Sequence, residues 1–396
     1  MLQQISKLTS AVLPELVTIR RALHQHPELA CREYRTADFV RRRLRKLGLR
    51  VSPPFLKTDV VALLKTRQPG INVTLRADMD GLPLSEKNNL PYRSQTRGVM
   101  HACGHDGHVA MLLGAAFVLT QLKERLHGTV RFVFQPGEEV AAAGRDLVAA
   151  GALCDPAPAA VLALHAWNQL PVGCIASRPG VFLAAADVFK ITVRGKGGHG
   201  SRPDTCVNPL PVAAQVIQNL QAIPSQKISA LEPVVISVCR VAGGNNANVI
   251  PESAEIEGSV RYFDAALAPR IRSLIEQILQ GVCLAAGASY ELKYDQRYLP
   301  TRNDRRIVAL GERVARTVLG PTQWRRLATP GLGSEDFSYY LKEYPGAMFR
   351  IGVGTETPEL HSPYFDFNDD ALMNGVVFLV HMTIELLGRQ THLRRT

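Results

Sequence analysis

The sequence lacks a disulfide framework. Its seven cysteines (Cys31, Cys103, Cys154, Cys174, Cys206, Cys239 and Cys283) are odd in number and scattered. No pair of CxxC knuckles occurs among them, which favours a reducing compartment. Long hydrophobic runs are also missing. The longest, VAMLLGAAFVL at 109–119, is too short to span a bilayer. The opening MLQQISKLTSAVLPELVTIRR has neither the basic start nor the clean apolar run of a signal peptide. The expectation is a cytoplasmic protein with no membrane partner. No GxSxG elbow is present, which disfavours serine-hydrolase chemistry, and there is no internal repeat or low-complexity segment. Acidic residues are outnumbered, with 35 Asp and Glu against 46 Lys and Arg, a net charge of +11. Nucleic acid is the partner such a charge suggests. Yet the densest basic run, VRRRLRKLGLR at 40–50, follows a helical pattern in which Phe39, Val40, Leu44 and Leu47 face a core. It reads as a solvated face, without aromatic interleaving or a nucleic-acid motif, so no nucleic-acid partner is expected. The basic surface biases the protein only weakly, toward anionic substrates.

What is present is enough apolar chain for two domains: 396 residues, 46% hydrophobic. The pattern is helical over 8–48, interrupted by HQHPEL at 24–29. Strands are expected at 60–65 and 71–78, split by a Pro-Gly turn. A helix follows at 109–125, then a strand running into a loop at 128–139, and a buried strand at 159–167. Strands alternating with helices predict an α/β fold, a mixed sheet with helices on both faces. From about residue 184 the order becomes β-α-β-β-α-β, the ferredoxin-like split pattern. The expected division is therefore a discontinuous first domain, 1–183 with 297–396, interrupted by a smaller α+β domain at 184–296.

The chemistry-bearing residues cluster in a few strings. MHACGHDGH at 100–108 puts Cys103 and His105 two positions apart before a helix. On an extended backbone both would point the same way. Both suit a borderline transition metal, and the pair also suits a nucleophile with its base. FVFQPGEE ends a strand with Glu138 and Glu139. In a loop, one carboxylate can hold a metal while the other acts as general base. His165, at the end of the apolar strand VLALHAW, and His361, in ELHSPYFDF, are weak signals alone. GKGGHG at 195–200 matches GxGxxG literally. It lacks the helix immediately after it and the closing acidic residue of a dinucleotide site.

Taken together, these strings resemble the M20 metallopeptidase family, and specifically its amidohydrolase branch of hippurate hydrolases, aminoacylases and auxin-conjugate hydrolases. The resemblance runs nearly end to end, through RRALHQHPEL, LRADMDGLPL, MHACGHDGH, FQPGEE, LHAW, GKGGHGSRP, NVIPE, GSEDFSYYL and HSPYFDFND in order. It implies a metal-dependent amidohydrolase cleaving N-acyl amino acids. Two divalent ions per subunit (Zn, Mn, Co or Ni) would be held by Cys103, His105, Glu139, His165 and His361. Glu138 would be general base and then acid. Asp80 would orient a ligand, and Cys103 would replace a histidine that other branches carry at the position of Asp78. The resemblance further implies that the smaller domain is a lid and dimerisation domain in a homodimer or higher homo-oligomer. His199 would reach a partner's site to stabilise an oxyanion, and Asn248 and Arg261 would contact substrate. His101, Asp106 and His108 are expected only to support the centre. The segment VAAAGRDLVAAGAL and Asp204 depart from the family pattern and put specificity in doubt. A dipeptidase or carboxypeptidase with the same centre, or a non-catalytic ligand-binding relative, is the alternative.

Overall fold

A computed structural model of the chain describes residues 1–388 and divides it into two compact units. The first comprises Met1–Phe182, Arg302–Thr329 and the described residues from Asp336; the second comprises Leu183–Thr301 with the short segment Pro330–Glu335.

The first unit is built on an eight-stranded sheet. Its order is Arg50–Val51, Val60–Lys65, His127–Gln135, Gln68–Asp78, Pro158–Trp167, Gly346–Gly352, Ile175–Ser177 and Trp324–Arg326. The four central strands run parallel to one another. They are almost continuously buried, as strands covered on both faces must be. Their apolar runs follow from that rather than from alternation. The helix His105–Gln121 is buried nearly all round and packs against Leu2–Gln25 and Ala371–Leu387. Two short helices, Ala143–Ala149 and Ser338–Glu343, pack together and against the strands His127–Gln135 and Gly346–Gly352 respectively. Because the central strands share one direction, their carboxyl ends form a single rim, where α/β sheets gather ligands.

The basic run lies on the helix Tyr34–Lys46. Val40 and Leu44 are buried, Phe39 and Leu47 pack on the same core, and Arg42 and Arg45 face solvent. That helix is a solvated face, as its periodicity predicts.

The second unit is a four-stranded antiparallel sheet in the order Val234–Ala242, Ser253–Tyr262, Ala185–Arg194, Ser289–Tyr298. The helices Pro209–Gln226 and Leu267–Ala286 pack on each other and on the sheet. In chain order this is β-α-β-β-α-β. Ser253–Tyr262 alternates strictly between half-buried and buried residues, the period-2 mark of a strand with one face on the core. Asn208 caps the first helix by accepting from the Leu210 N–H, with Pro209 in the first turn. No helix among the described residues is long and apolar enough to cross a membrane.

Candidate metal centre

The centre is assembled in the first unit, at the carboxyl ends of its parallel strands. The strand Gln68–Asp78 ends on Asp78 and leads to Asp80. His127–Gln135 leads through Pro136 and Gly137 to Glu138 and Glu139. Pro158–Trp167 carries His165 near its end.

Two left-handed glycines aim the donors. The segment around Cys103 is not extended, contrary to the sequence expectation. Gly104 turns at φ 84°, and the helix begins at His105 rather than at Val109. A Cβ at Gly104 would stand 2.8 Å from that of Ala166, so the turn is both left-handed and closely packed. Gly137 turns at φ 60°, and the helix Glu138–Ala141 starts immediately after it, so both glutamates lie on a short helix rather than in a loop. His361 itself sits at φ 66°, a conformation that costs a non-glycine residue energy and persists only where surroundings impose it. Its backbone N–H donates to the Ala102 carbonyl at 2.8 Å, tying this loop to the Cys103 segment.

Ligand-type atoms of Cys103, Glu139 and His361 lie within 4.8 Å of one another, as do those of His105, Glu138 and Glu139, and those of Asp78, His105, His108 and His165. Cys103 Sγ is 3.5 Å from His165 Nε2. Glu139 Oε1 lies 3.3 Å from His361 Nε2 and 3.8 Å from His105 Nε2. The structure thus brings all five expected ligands and Glu138 into one cluster.

The hydrogen bonds fix which atoms face inward. His105 Nδ1–H donates to the Asp80 carbonyl at 2.9 Å, and His165 Nδ1–H to the Ala166 carbonyl at 2.8 Å. In both rings Nε2 is thereby the nitrogen turned to the cluster. His108 is different. Its Nε2 accepts from the Ala166 N–H at 2.8 Å, so its Nδ1 carries the hydrogen that meets Asp78 Oδ1 at 2.6 Å. Both nitrogens of His108 are therefore occupied by the protein, and it supports the cluster rather than offering a donor. Asp78 is likewise consumed, its Oδ2 taking Arg76 Nη1 at 2.6 Å.

His105 Nε2 and Glu139 Oε1 are buried polar atoms with no hydrogen-bond partner. Leaving such atoms unpaired is costly, and a cation shared between them removes the cost. Charge points the same way. Against the burial that would lower it, Asp78, Asp80 and Glu139 push His105 up to about 10. Burial, reinforced by Glu139, Glu138 and Asp78, raises the Cys103 thiol well above its ordinary range. Burial and His108 hold His165 far below its usual value, as a neutral imidazole. A free nucleophile needs a lowered thiol pKa, which these surroundings do not give. Sulfur, imidazole and carboxylate donors together fit a borderline divalent transition ion.

Asp80 braces two residues of the cluster at once. Its Oδ2 accepts from the Glu139 N–H at 3.0 Å and its carbonyl from His105. Replacing it with alanine should weaken metal binding by about ten- to hundredfold, read by metal titration of the apoprotein. Unchanged affinity would remove this role.

Apart from Asp106, the deeper support is not visible in the sequence. Arg76 also reaches Gln135 at 3.0 Å and Asp336 at 2.9 Å, while Asp336 accepts from Gln135 Nε2 and the Gly144 N–H. Glu33 Oε1 accepts from the Gly137 N–H at 2.9 Å, and its Oε2 from Thr58 at 2.8 Å. Burial and Asp80 push Glu33 up to about 7. Asp106 pairs with His24 at 2.9 Å and with Arg20 at 3.8 Å. The HQHPEL string held His24, but only its neighbours in space explain it.

The second unit holds His199, Asn248 and Arg261. His199 is exposed on the short strand Gly198–His199, and its Nδ1 accepts from the Ser201 N–H at 3.1 Å. Asn248 is exposed, and its carbonyl accepts from the Gly200 N–H at 2.7 Å. Arg261 is half-buried and donates to Ser334 Oγ at 3.0 Å.

Comparison with known proteins places the arrangement. Residues 74–385 match the family model for peptidase family M20/M25/M40. The chain is 38% identical over 376 residues to the N-acetylcysteine deacetylase of Bacillus subtilis, covering 94% of this chain and 97% of that protein. It is 42% identical over 302 residues to the N-acyl-L-amino acid amidohydrolase of Geobacillus stearothermophilus, covering 76% and 81%. A Bacillus subtilis dinuclear metal-binding peptidase of the M20 family superposes with a TM-score of 0.82 at 34% identity, covering 96% of this chain and 99% of that one. With this match in sequence, fold and the cluster at the strand ends, the chain belongs to peptidase family M20/M25/M40, in its amidohydrolase branch.

Proposed function

We propose that the protein is a metal-dependent amidohydrolase that cleaves the amide bond of N-acyl amino acids, with Glu138 moving the proton. The observation that carries this reading is the convergence of Glu138 with His105 and Glu139 beside two unpartnered donor atoms. Cys103, His105, Glu139, His165 and His361 would hold two divalent ions, of Zn, Mn, Co or Ni. Such ions supply the positive charge that acidifies a water and polarises an acyl carbonyl. Glu138, only 6% exposed, takes a proton from the attacking water as the C–O bond forms. It returns a proton to the amine nitrogen as the C–N bond breaks, leaving a carboxylate and a free amino acid. His108 and Asp80 keep the ligand rings in register throughout.

In this reading the second unit serves as lid and dimerisation domain of a cytoplasmic homodimer. His199, with Nδ1 already accepting, presents Nε2–H as an oxyanion donor toward a partner subunit's site. Asn248 and Arg261 would contact the substrate carboxylate. His199→Ala should lower kcat about 100-fold or more, and an unchanged kcat would remove the donor role. The reading as a whole is tested by hydrolysis of N-acetyl, N-benzoyl and dipeptide substrates, with metal content measured on the same sample. Turnover of dipeptides alone would favour a peptidase, and turnover of nothing by metal-loaded protein would overturn the proposal.

A further inference from the structure

Arg350 is an anomaly in the first unit. It lies in the buried strand Gly346–Gly352 and is only 7% exposed. Among the described residues it makes no hydrogen bond and no ion pair, and no carboxylate acts on it. Its guanidinium instead stacks on Trp167, 3.5 Å from the ring centroid, with Phe182 at 5.2 Å. Arginine is seldom buried this far unless paired. Stacking satisfies its plane and leaves the five N–H groups at its edge without acceptors.

Its position is informative. Arg350 is the register partner of His165, and Trp167 follows two residues after His165 on the same strand. Register partners on neighbouring strands, and residues two apart on one strand, share a face of the sheet. Arg350 and Trp167 therefore stand on the face that carries His165, one strand spacing of about 4.8 Å from it. Ala176, the partner of Arg350 on the other side, Leu170 and Cys174 form a small apolar cluster against Trp167, which keeps the local dielectric low. Nearby in sequence order, Arg178 follows the paired strand Ile175–Ser177 and has Nε and Nη1 buried without partners. This edge of the sheet thus carries two guanidinium groups that no anion answers among the described residues.

We propose that Arg350, held flat on Trp167 beside His165, is a receptor for a carboxylate of the substrate other than the one released at the scissile bond. The enzyme would then select N-acyl amino acids carrying a second acid group. The proposal rests on the hydrolase reading above. A planar fork pre-set by an aromatic face suits a carboxylate, which it binds through two parallel hydrogen bonds. Desolvation lowers Arg350 to about 10, yet it remains a cation at neutral pH. The second acid can sit on the amino-acid side chain or on the acyl group.

The test compares metal-loaded wild type with Arg350→Met, which keeps an apolar stem on Trp167, and Arg350→Lys, which keeps the charge. Substrates are taken in pairs: N-acetylglutamate with N-acetylglutamine, and N-succinyl-leucine with N-butanoyl-leucine. In wild type, one pair should favour its acidic member. Arg350→Met should reduce that acid-to-neutral ratio of kcat/KM by about 30-fold or more, the scale for losing one partner of a buried charge pair, and Arg350→Lys should fall between. The first pair assigns the acid to the side chain and the second to the acyl group. A ratio unmoved by Arg350→Met, or a parallel fall on all four substrates, overturns the proposal. If wild type hydrolyses none of them, the hydrolase reading fails. Calorimetric binding of glutamate against glutamine, and of succinate against butanoate, to wild type and Arg350→Met then decides the site separately. Dicarboxylate binding lost in the variant supports it, and equal binding overturns it.

Discussion

Glu138→Gln should lower kcat by about 10³-fold while the protein keeps its full metal content. The amide fills the same space but cannot accept a proton, so only the transfer from water and to the leaving amine is lost. General acid–base catalysis contributes roughly 10²–10⁴-fold, and 10³ corresponds to about 4 kcal/mol of barrier. The companion measurement matters as much as the rate. Glu138 and Glu139 are adjacent on one short helix, and their carboxylates share a cluster with His105. If Glu138→Gln lost metal in step with activity, Glu138 would be a ligand and the proton would need another carrier. If it kept full activity, the mechanism would be wrong outright.

The second large effect concerns Cys103. Cys103→Ala should lose metal affinity by more than the ten- to hundredfold typical of an outer supporting residue, and lose activity with it. Chelation of the wild type should bring activity to background, with restoration by Mn, Zn, Co or Ni. A cysteine nucleophile predicts the reverse, survival of chelation and death by alkylation. The surroundings already weigh on this choice. Cys103 is buried, and its thiol is raised first by that burial and then by Glu139 and Glu138. Cys154 and Cys239 are exposed, so a thiol reagent should modify them before Cys103 and leave turnover intact. Retained activity after exhaustive chelation would sink the metal reading, whatever the fate of the thiols.

The strings that carry the centre were legible because their chemistry is dense. Cys103, His105, Glu138 and Glu139 stand in two short segments rich in metal donors. His165 and His361 were not legible on their own, since a histidine in an apolar strand or a loop is common. What unites them is sheet register and three residues at positive φ (Gly104, Gly137 and His361), which no hydrophobic period encodes. The same gap explains the misplaced helix start. HDGH is polar and contains glycine, so periodicity begins only at Val109, while the backbone turns into the helix at Gly104. The roles of Arg76, Glu33 and Asp336 depend on distant partners, and Arg350 sits inside an apolar strand where one arginine reads as an exception to the pattern. The β-α-β-β-α-β order of the second unit was plain because strand and helix periods alternate cleanly there.

The interruption of the first unit has a consequence in time. The strand Gly346–Gly352 pairs with Pro158–Trp167, so the parallel core closes only when the chain's last quarter is available. Most of the second unit, Leu183–Thr301, is contiguous and can fold while the ribosome still holds the rest. Cys103, His105, Glu139 and His165 are synthesised early and wait through all of that for His361. Pairings so far apart are slow to form and leave strand edges open meanwhile. During synthesis the early members of the cluster form an incomplete set, which is completed only when His361 joins them.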